Sequence, residues 1–110
     1  MATSGKVHAV IRAFERREKH RIISNTWTDG TNLFLHGSPI AEWAPDGSLL
    51  VTLAGWDTPL TRGRLNLLKG VHVSRANGLT YLNFKEWEGD WRAVPLDRPA
   101  TPQTLLLQQP

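Results

Sequence analysis

Four histidines, Ser38 and a few carboxylates are the side chains of this 110-residue chain whose surroundings in the sequence invite a chemical reading. His8, His20, His36 and His72 could ligate a metal or act as general bases, but no two of them share the i, i+2 or i, i+4 spacing that puts two imidazoles on one ion. As lone imidazoles they read as partly buried polar groups or turn donors. Ser38 follows His36-Gly37, yet the G-x-S-x-G elbow is missing, and Pro39 has no N–H to offer an oxyanion. The pairs Glu42 with Asp57 and Glu88 with Asp90 lack catalytic or cation-binding spacing and read as solvated surface. Gly55, Gly63 and Gly70 fit neither phosphate-cradling pattern. With no cysteine in the chain, disulfides, thiolate zinc sites, iron–sulfur clusters and cysteine nucleophiles are excluded. The expectation is a non-enzyme without metal or cofactor.

Binding is the chemistry left, and two features of the sequence point to it. Residues 1–21 carry six Lys/Arg (Lys6, Arg12, Arg16, Arg17, Lys19, Arg21) against Glu15 and Glu18, whereas residues 22–110 carry seven against eight. The formal net charge of +3 is therefore an N-terminal property, suited to phosphate or to an acidic protein surface, or simply to solubility. Five tryptophans are also too many for the centre of so small a core. Trp56 is expected inside; Trp27, in a Thr-rich turn, and Trp43, on a short strand, are expected outside as contact area.

The elements that must position these groups read as mostly short strands. Val7, Val10, Ile11 and Phe14 have helical spacing, but Val7, Ala9, Ile11 and Ala13 also alternate; a strand is preferred there because a β-rich body needs pairing partners. Hairpins are expected around Asp29-Gly30, at Gly37-Ser38-Pro39, at Ala44-Pro45-Asp46-Gly47 and, most clearly, at Asn77-Gly78. Residues 48–54 have apolar groups on both faces, as a central strand does. Thr58 and Pro59 suit the N-cap and first turn of a helix over about residues 58–69, packed through Leu60, Leu65 and Leu68 and stopped at Gly70. Phe84, Trp87 and Trp91 read as a short strand or an aromatic lid. Four of the seven prolines fall in residues 95–110 and predict an extended tail. Within that tail Leu105, Leu106 and Leu107 read as a contact for a second copy, making a homo-oligomer, or for a partner. The organisation is thus a basic N-terminal segment (1–21), a β-rich globular domain (22–94) and a Pro-rich tail (95–110). The fold class is α+β, a small antiparallel sheet of short hairpins with one helix packed on it.

From Ser24 to Trp91 the order of short motifs resembles small bacteriophage and prophage accessory proteins. The residues that carry it are Asn25-Thr26-Trp27-Thr28-Asp29-Gly30, Leu33-Phe34-Leu35-His36-Gly37, Leu53-Ala54-Gly55-Trp56, Arg64-Leu65-Asn66, Tyr81-Leu82-Asn83 and Trp87. Phe84 stands where such proteins often have Gly. The resemblance attaches no activity; it implies a phage accessory protein acting in the bacterial cytoplasm.

Two binding functions remain. In one, the chain engages a host protein or complex and modulates it, as in host takeover or anti-defence, through Arg12, Arg16, Arg17, Lys19, Arg21, Arg62 and Arg64 with Trp27 and Trp43 as aromatic anchors. In the other, the same arginines contact phosphates and an exposed Trp stacks on bases. Protein binding is preferred, because the slightly acidic body beyond residue 21 gives a phosphate track little to follow. No apolar run approaches the roughly 18–20 residues of a membrane span, so no membrane partner is expected.

Overall fold

Alternating apolar residues broken by tight turns at short intervals make a meander, and most of the chain follows that pattern. The computed structural model describes residues 2–94. In chain order the elements are α1 (Ala2–Glu15), β1 (Lys19–Ile23), β2 (Thr26–Asp29), β3 (Asn32–Leu35), β4 (Ser38–Trp43), β5 (Leu49–Val51), α2 (Pro59–Leu65), β6 (Val73–Ala76), β7 (Leu79–Leu82), β8 (Lys85–Glu86) and β9 (Arg92–Ala93). The class is α+β, as expected, with two helices rather than one. The Pro-rich stretch 95–110, with Leu105, Leu106 and Leu107, lies outside the described residues.

Six strands form one antiparallel sheet in the order β1-β2-β3-β4-β5-β9, and β6-β7-β8 form a second. On the large sheet Thr26, Thr28, Leu33, Leu35, Leu49 and Val51 are buried, while the alternate residues Trp27, Phe34 and Leu50 are half-buried on the opposite face. The buried face receives α1, which lies against β1, β2 and β3. The strand expected over residues 7–13 is therefore a helix. Val7, Val10, Ile11 and Phe14 all sink into the core, each stabilising the fold by roughly 1.5–3 kcal/mol. The meander supplies its own pairing partners, so the N-terminus is left to cover the sheet. For the same reason the basic segment is not dispensable for folding: its apolar stripe is a wall of the core.

α2 begins as its sequence dictates. Thr58 Oγ1 accepts from Thr61 N at 3.2 Å, and Pro59 occupies the first turn. The helix ends at Leu65, short of the expected 69. Leu65 and Leu68 are buried, but Leu60 is partly exposed and contributes little packing. Asn66 then takes over the work of a longer helix. Its amide accepts from Val73 N at 2.7 Å and donates to Val73 O at 2.9 Å. Asn83 acts likewise from the other side, accepting from His72 N at 2.8 Å and donating to Gly70 O at 2.9 Å. Two side-chain amides thus hold the link into β6, where no sheet ladder would satisfy its backbone.

The Asn77-Gly78 turn joins β6 to β7 with both residues in the left-handed region, as a primed hairpin requires. The next hairpin repeats that geometry at Asn83 and Phe84, so Phe84 (φ 70) occupies a backbone position that favours Gly. Its ring is 77% exposed and stacks on His72 at 4.7 Å.

The tryptophan expected in the core is on the surface. Ala54 and Gly55 both take positive φ after Leu53, a turn closed by Trp56 N donating to Leu53 O, and this throws the Trp56 ring outward to 65% exposure. Trp87 fills the interior instead, 3% exposed, its indole N–H donating to Asp90 O at 2.8 Å. Nearby, Gly89 O accepts from Leu53 N and Thr52 Oγ1, and a Cβ on Gly89 would come within 2.9 Å of Leu53. Only glycine allows that approach.

Candidate functional site

Where the cations expected to meet a partner stand depends on what each finds inside the chain. α1 ends in a left-handed turn: Arg17 (φ 61) sits two residues past the helix, with Arg17 N donating to Phe14 O and Glu18 N to Ala13 O. That turn swings the Arg17 guanidinium over the Trp43 ring, 4.0 Å from its centroid. The same indole stacks on Phe14 at 5.4 Å and donates from Nε1 to Phe14 O at 2.8 Å. Trp43, expected outside, is half-buried between a ring and a cation and satisfies a helix-terminal carbonyl. Arg12 pairs with Glu15 at 3.0 Å and donates to Leu67 O at 2.6 Å, while Glu15 accepts from Lys69 N at 2.8 Å. Arg16 pairs with Glu18 at 3.1 Å in the open, where such a pair adds little stability.

The arginines of α2 are also engaged inside the chain. Arg62 binds the Asp57 carboxylate, which also accepts from the Thr80 hydroxyl and, at 2.7 Å, from Arg75. Partial burial pushes the Asp57 carboxyl up, but the Thr80 hydroxyl and the two guanidiniums outweigh it and hold Asp57 below its ordinary value. Asp57 thereby ties α2 to the second sheet. Arg64 donates to Thr26 Oγ1 at 2.9 Å and to Asn25 Oδ1 at 3.2 Å, and desolvation lowers its pKa. Its two hydrogen bonds tether α2 to the first hairpin and fix the guanidinium against the chain's own surface.

Lys19 and Arg21 differ. Both are exposed on β1, and neither has an ion pair among the described residues. Lys19 lies opposite Asp29 in the β1–β2 register. Partial burial raises the Asp29 pKa, but the amides of Asn32 and Thr31 and the Asn32 side chain outweigh it, so the carboxylate is held low and is spent on its own turn. A depression of about 700 Å³ opens on this face, lined by Lys19, His20, Arg21, Trp27, Thr28 and Asp29. Trp27, also expected outside, is half-buried because it stacks on Phe34 across the strand pair at 4.1 Å with the rings nearly parallel. Around the edge of the sheet a second hollow of about 580 Å³ lies between α1 and β1, with Lys6, Ala9 and Ile22 on its wall. Ile22 is 54% exposed.

Of the nine residues expected to bind, Lys19, Arg21 and Trp27 are brought together. Arg12, Arg16, Arg17 and Trp43 form a neighbouring, internally paired cluster, and on α2 Arg62 is engaged by Asp57 and Arg64 by Asn25 and Thr26. Lys6 and Ile22 belong with the first group and were missed. The alternation of Lys19-His20-Arg21-Ile22 was the signal that could have found Ile22. A separate apolar cavity of about 560 Å³ opens between the β3–β4 hairpin and α2, with Leu35, Ile40, Leu53, Trp56, Leu60 and Thr61 among its walls.

Among the described residues no group of three or more His, Asp or Glu could hold a metal ion, and no helix is long and apolar enough to cross a membrane. A family model described as Kyanoviridae Gp96 protein matches residues 4–94. No curated protein and no solved structure matches the chain.

Proposed function

The chain belongs to the Kyanoviridae Gp96 protein family, a phage family, and from that premise we propose that it is an accessory protein that binds a host protein or complex in the cytoplasm of the infected bacterium and modulates it. The observation that carries this reading is the concentration of unpaired charge at one edge of the large sheet. Lys19 and Arg21 stand there beside Trp27 and exposed Ile22, a mixture of cation, aromatic and aliphatic area typical of protein contact sites. Nucleic acid is the weaker reading. A phosphate track needs a run of free cations, and Arg12, Arg16, Arg17, Arg62 and Arg64 each have a partner inside the chain. Trp27 also already has one ring face covered by Phe34, which reduces its stacking area for a base.

The test is affinity capture from host lysate with the full chain, with and without nuclease. A protein partner retained after nuclease treatment supports the reading. Capture that vanishes with the nucleic acid replaces it with the nucleic-acid one.

A further inference from the structure

We propose that the partner engages by strand addition: an acidic, extended segment pairs with the free edge of β1 as a further strand of the large sheet. The inference rests on the host-protein reading above and specifies its mode. β1 is terminal in the strand order, and among the described residues no strand pairs with its outer side. A terminal strand presents unmatched backbone N–H and C=O groups, a template for another chain. Here the template has a wall. The hollow between α1 and β1, lined by Lys6, Ala9, His20, Arg21, Ile22 and Ile23, runs along that edge, and the small Ala9 side chain leaves room beside it.

Charge selects the occupant. Lys6, Lys19 and Arg21 are exposed and have no ion pair among the described residues, while the two nearby carboxylates are committed elsewhere, Glu18 to Arg16 and Asp29 to its own turn. A second copy of the same edge would set Lys19 and Arg21 against like charge, which is destabilising across a strand pair. An acidic segment would be drawn to them instead. Because apolar Ile22 follows the two cations at the bulge, the matching segment carries Asp or Glu with apolar residues between them. The rival is a guarded edge: cations together with the bulge between His20 and Ile23 are also how proteins keep edges from pairing at all.

The experiment uses the full chain, isotope-labelled, with an alternating Glu-Val octapeptide, its Lys-Val counterpart and a short single-stranded DNA as probes. The acidic peptide should slow amide exchange within Lys19–Ile23 by about tenfold or more, whereas the basic peptide should not. The double variant Lys19→Glu with Arg21→Glu, its fold checked by an unchanged circular dichroism spectrum, should reverse that preference. Unchanged β1 exchange with the acidic peptide, a preference that survives charge reversal, or equal protection by DNA would each overturn strand addition. The same variant used in lysate capture separates the two levels of the argument. If it retains the nuclease-resistant host partner, β1 is not the docking edge and the host-binding reading stands; if the unaltered chain captures none, that reading itself fails.

Discussion

Arg17 and Arg21 are four residues apart in the same basic segment, and their circumstances are opposite. Arg17 lies over Trp43 in a backbone conformation that costs an L-residue roughly 1–2 kcal/mol, and its charge is spent on holding the end of α1 to β4. Arg21 projects from the edge strand β1 at its bulge, and its side chain has no ion pair among the described residues. The difference teaches that a run of basic residues states how much charge there is, while tertiary contacts decide how much remains to be offered. The cations at the end of the helix are spent on the fold; Lys6 and those of the strand have no ion pair among the described residues.

The strongest way to break this comparison is to remove the ring beneath Trp43. Phe14→Ala should cost about 3–5 kcal/mol in chemical denaturation, as core aromatic truncations do, because Phe14 is fully buried between helix and sheet. A loss under about 1 kcal/mol would show that α1 is not a wall of the core. Leu65→Ala should cost roughly 2–5 kcal/mol by the same reasoning on α2, where Arg62 and Arg64 are anchored.

Acid titration sharpens the contrast between committed and free charge. The Asp57 carboxyl is held below its ordinary value of 3.8, so its contribution is complete above that pH and is lost as pH falls through the lower folded value. The melting temperatures of the natural chain and Asp57→Asn should therefore differ near neutrality and converge in strong acid. A constant gap would mean that the carboxylate's charge is not what binds Arg62 and Arg75. A smaller effect belongs to Arg17. Arg17→Ala should lose about 0.5–1 kcal/mol of cation–π attraction, and Arg17→Gly less than that, since glycine relieves the left-handed backbone. Equal losses would show that the turn is unstrained. Smallest of all, Lys19→Ala with Arg21→Ala should shift the denaturation midpoint by no more than about 0.5 kcal/mol while weakening partner capture. A clear loss of stability would move these two residues into the structural group.

Much of the fold was legible because it is local. Asn77-Gly78, Ala44-Pro45-Asp46-Gly47 and Thr58-Pro59 dictate turns and a cap through their own backbone chemistry, and the structure has all three. What escaped is non-local. The choice of helix over strand for residues 7–13 depends on a sheet that needed a cover rather than another strand. Trp56, expected inside, is outside because a left-handed step at Ala54 and Gly55, invisible to periodicity, turns its ring out, while Trp87, read as part of a strand or lid, is buried. At the candidate site, the basic segment announced itself, but the i, i+3 pairing of Arg12 with Glu15 is hidden when residues 7–13 are read as a strand, and the bond of Arg64 to Thr26 needed a distance that sequence spacing does not contain.

The order of strands in the large sheet also fixes a sequence of events in time. From β1 to β5 every strand pairs with its neighbour in the chain, so each hairpin closes a short loop at little entropic cost and can zip up as the polypeptide leaves the ribosome. The exception is β9, which joins β5 about forty residues after it, together with the Thr52 and Leu53 bonds to Gly89. That closure must come last. Until it does, the edge of β5 stands open, and the nascent chain depends on speed or on a chaperone to keep that edge from pairing with another molecule.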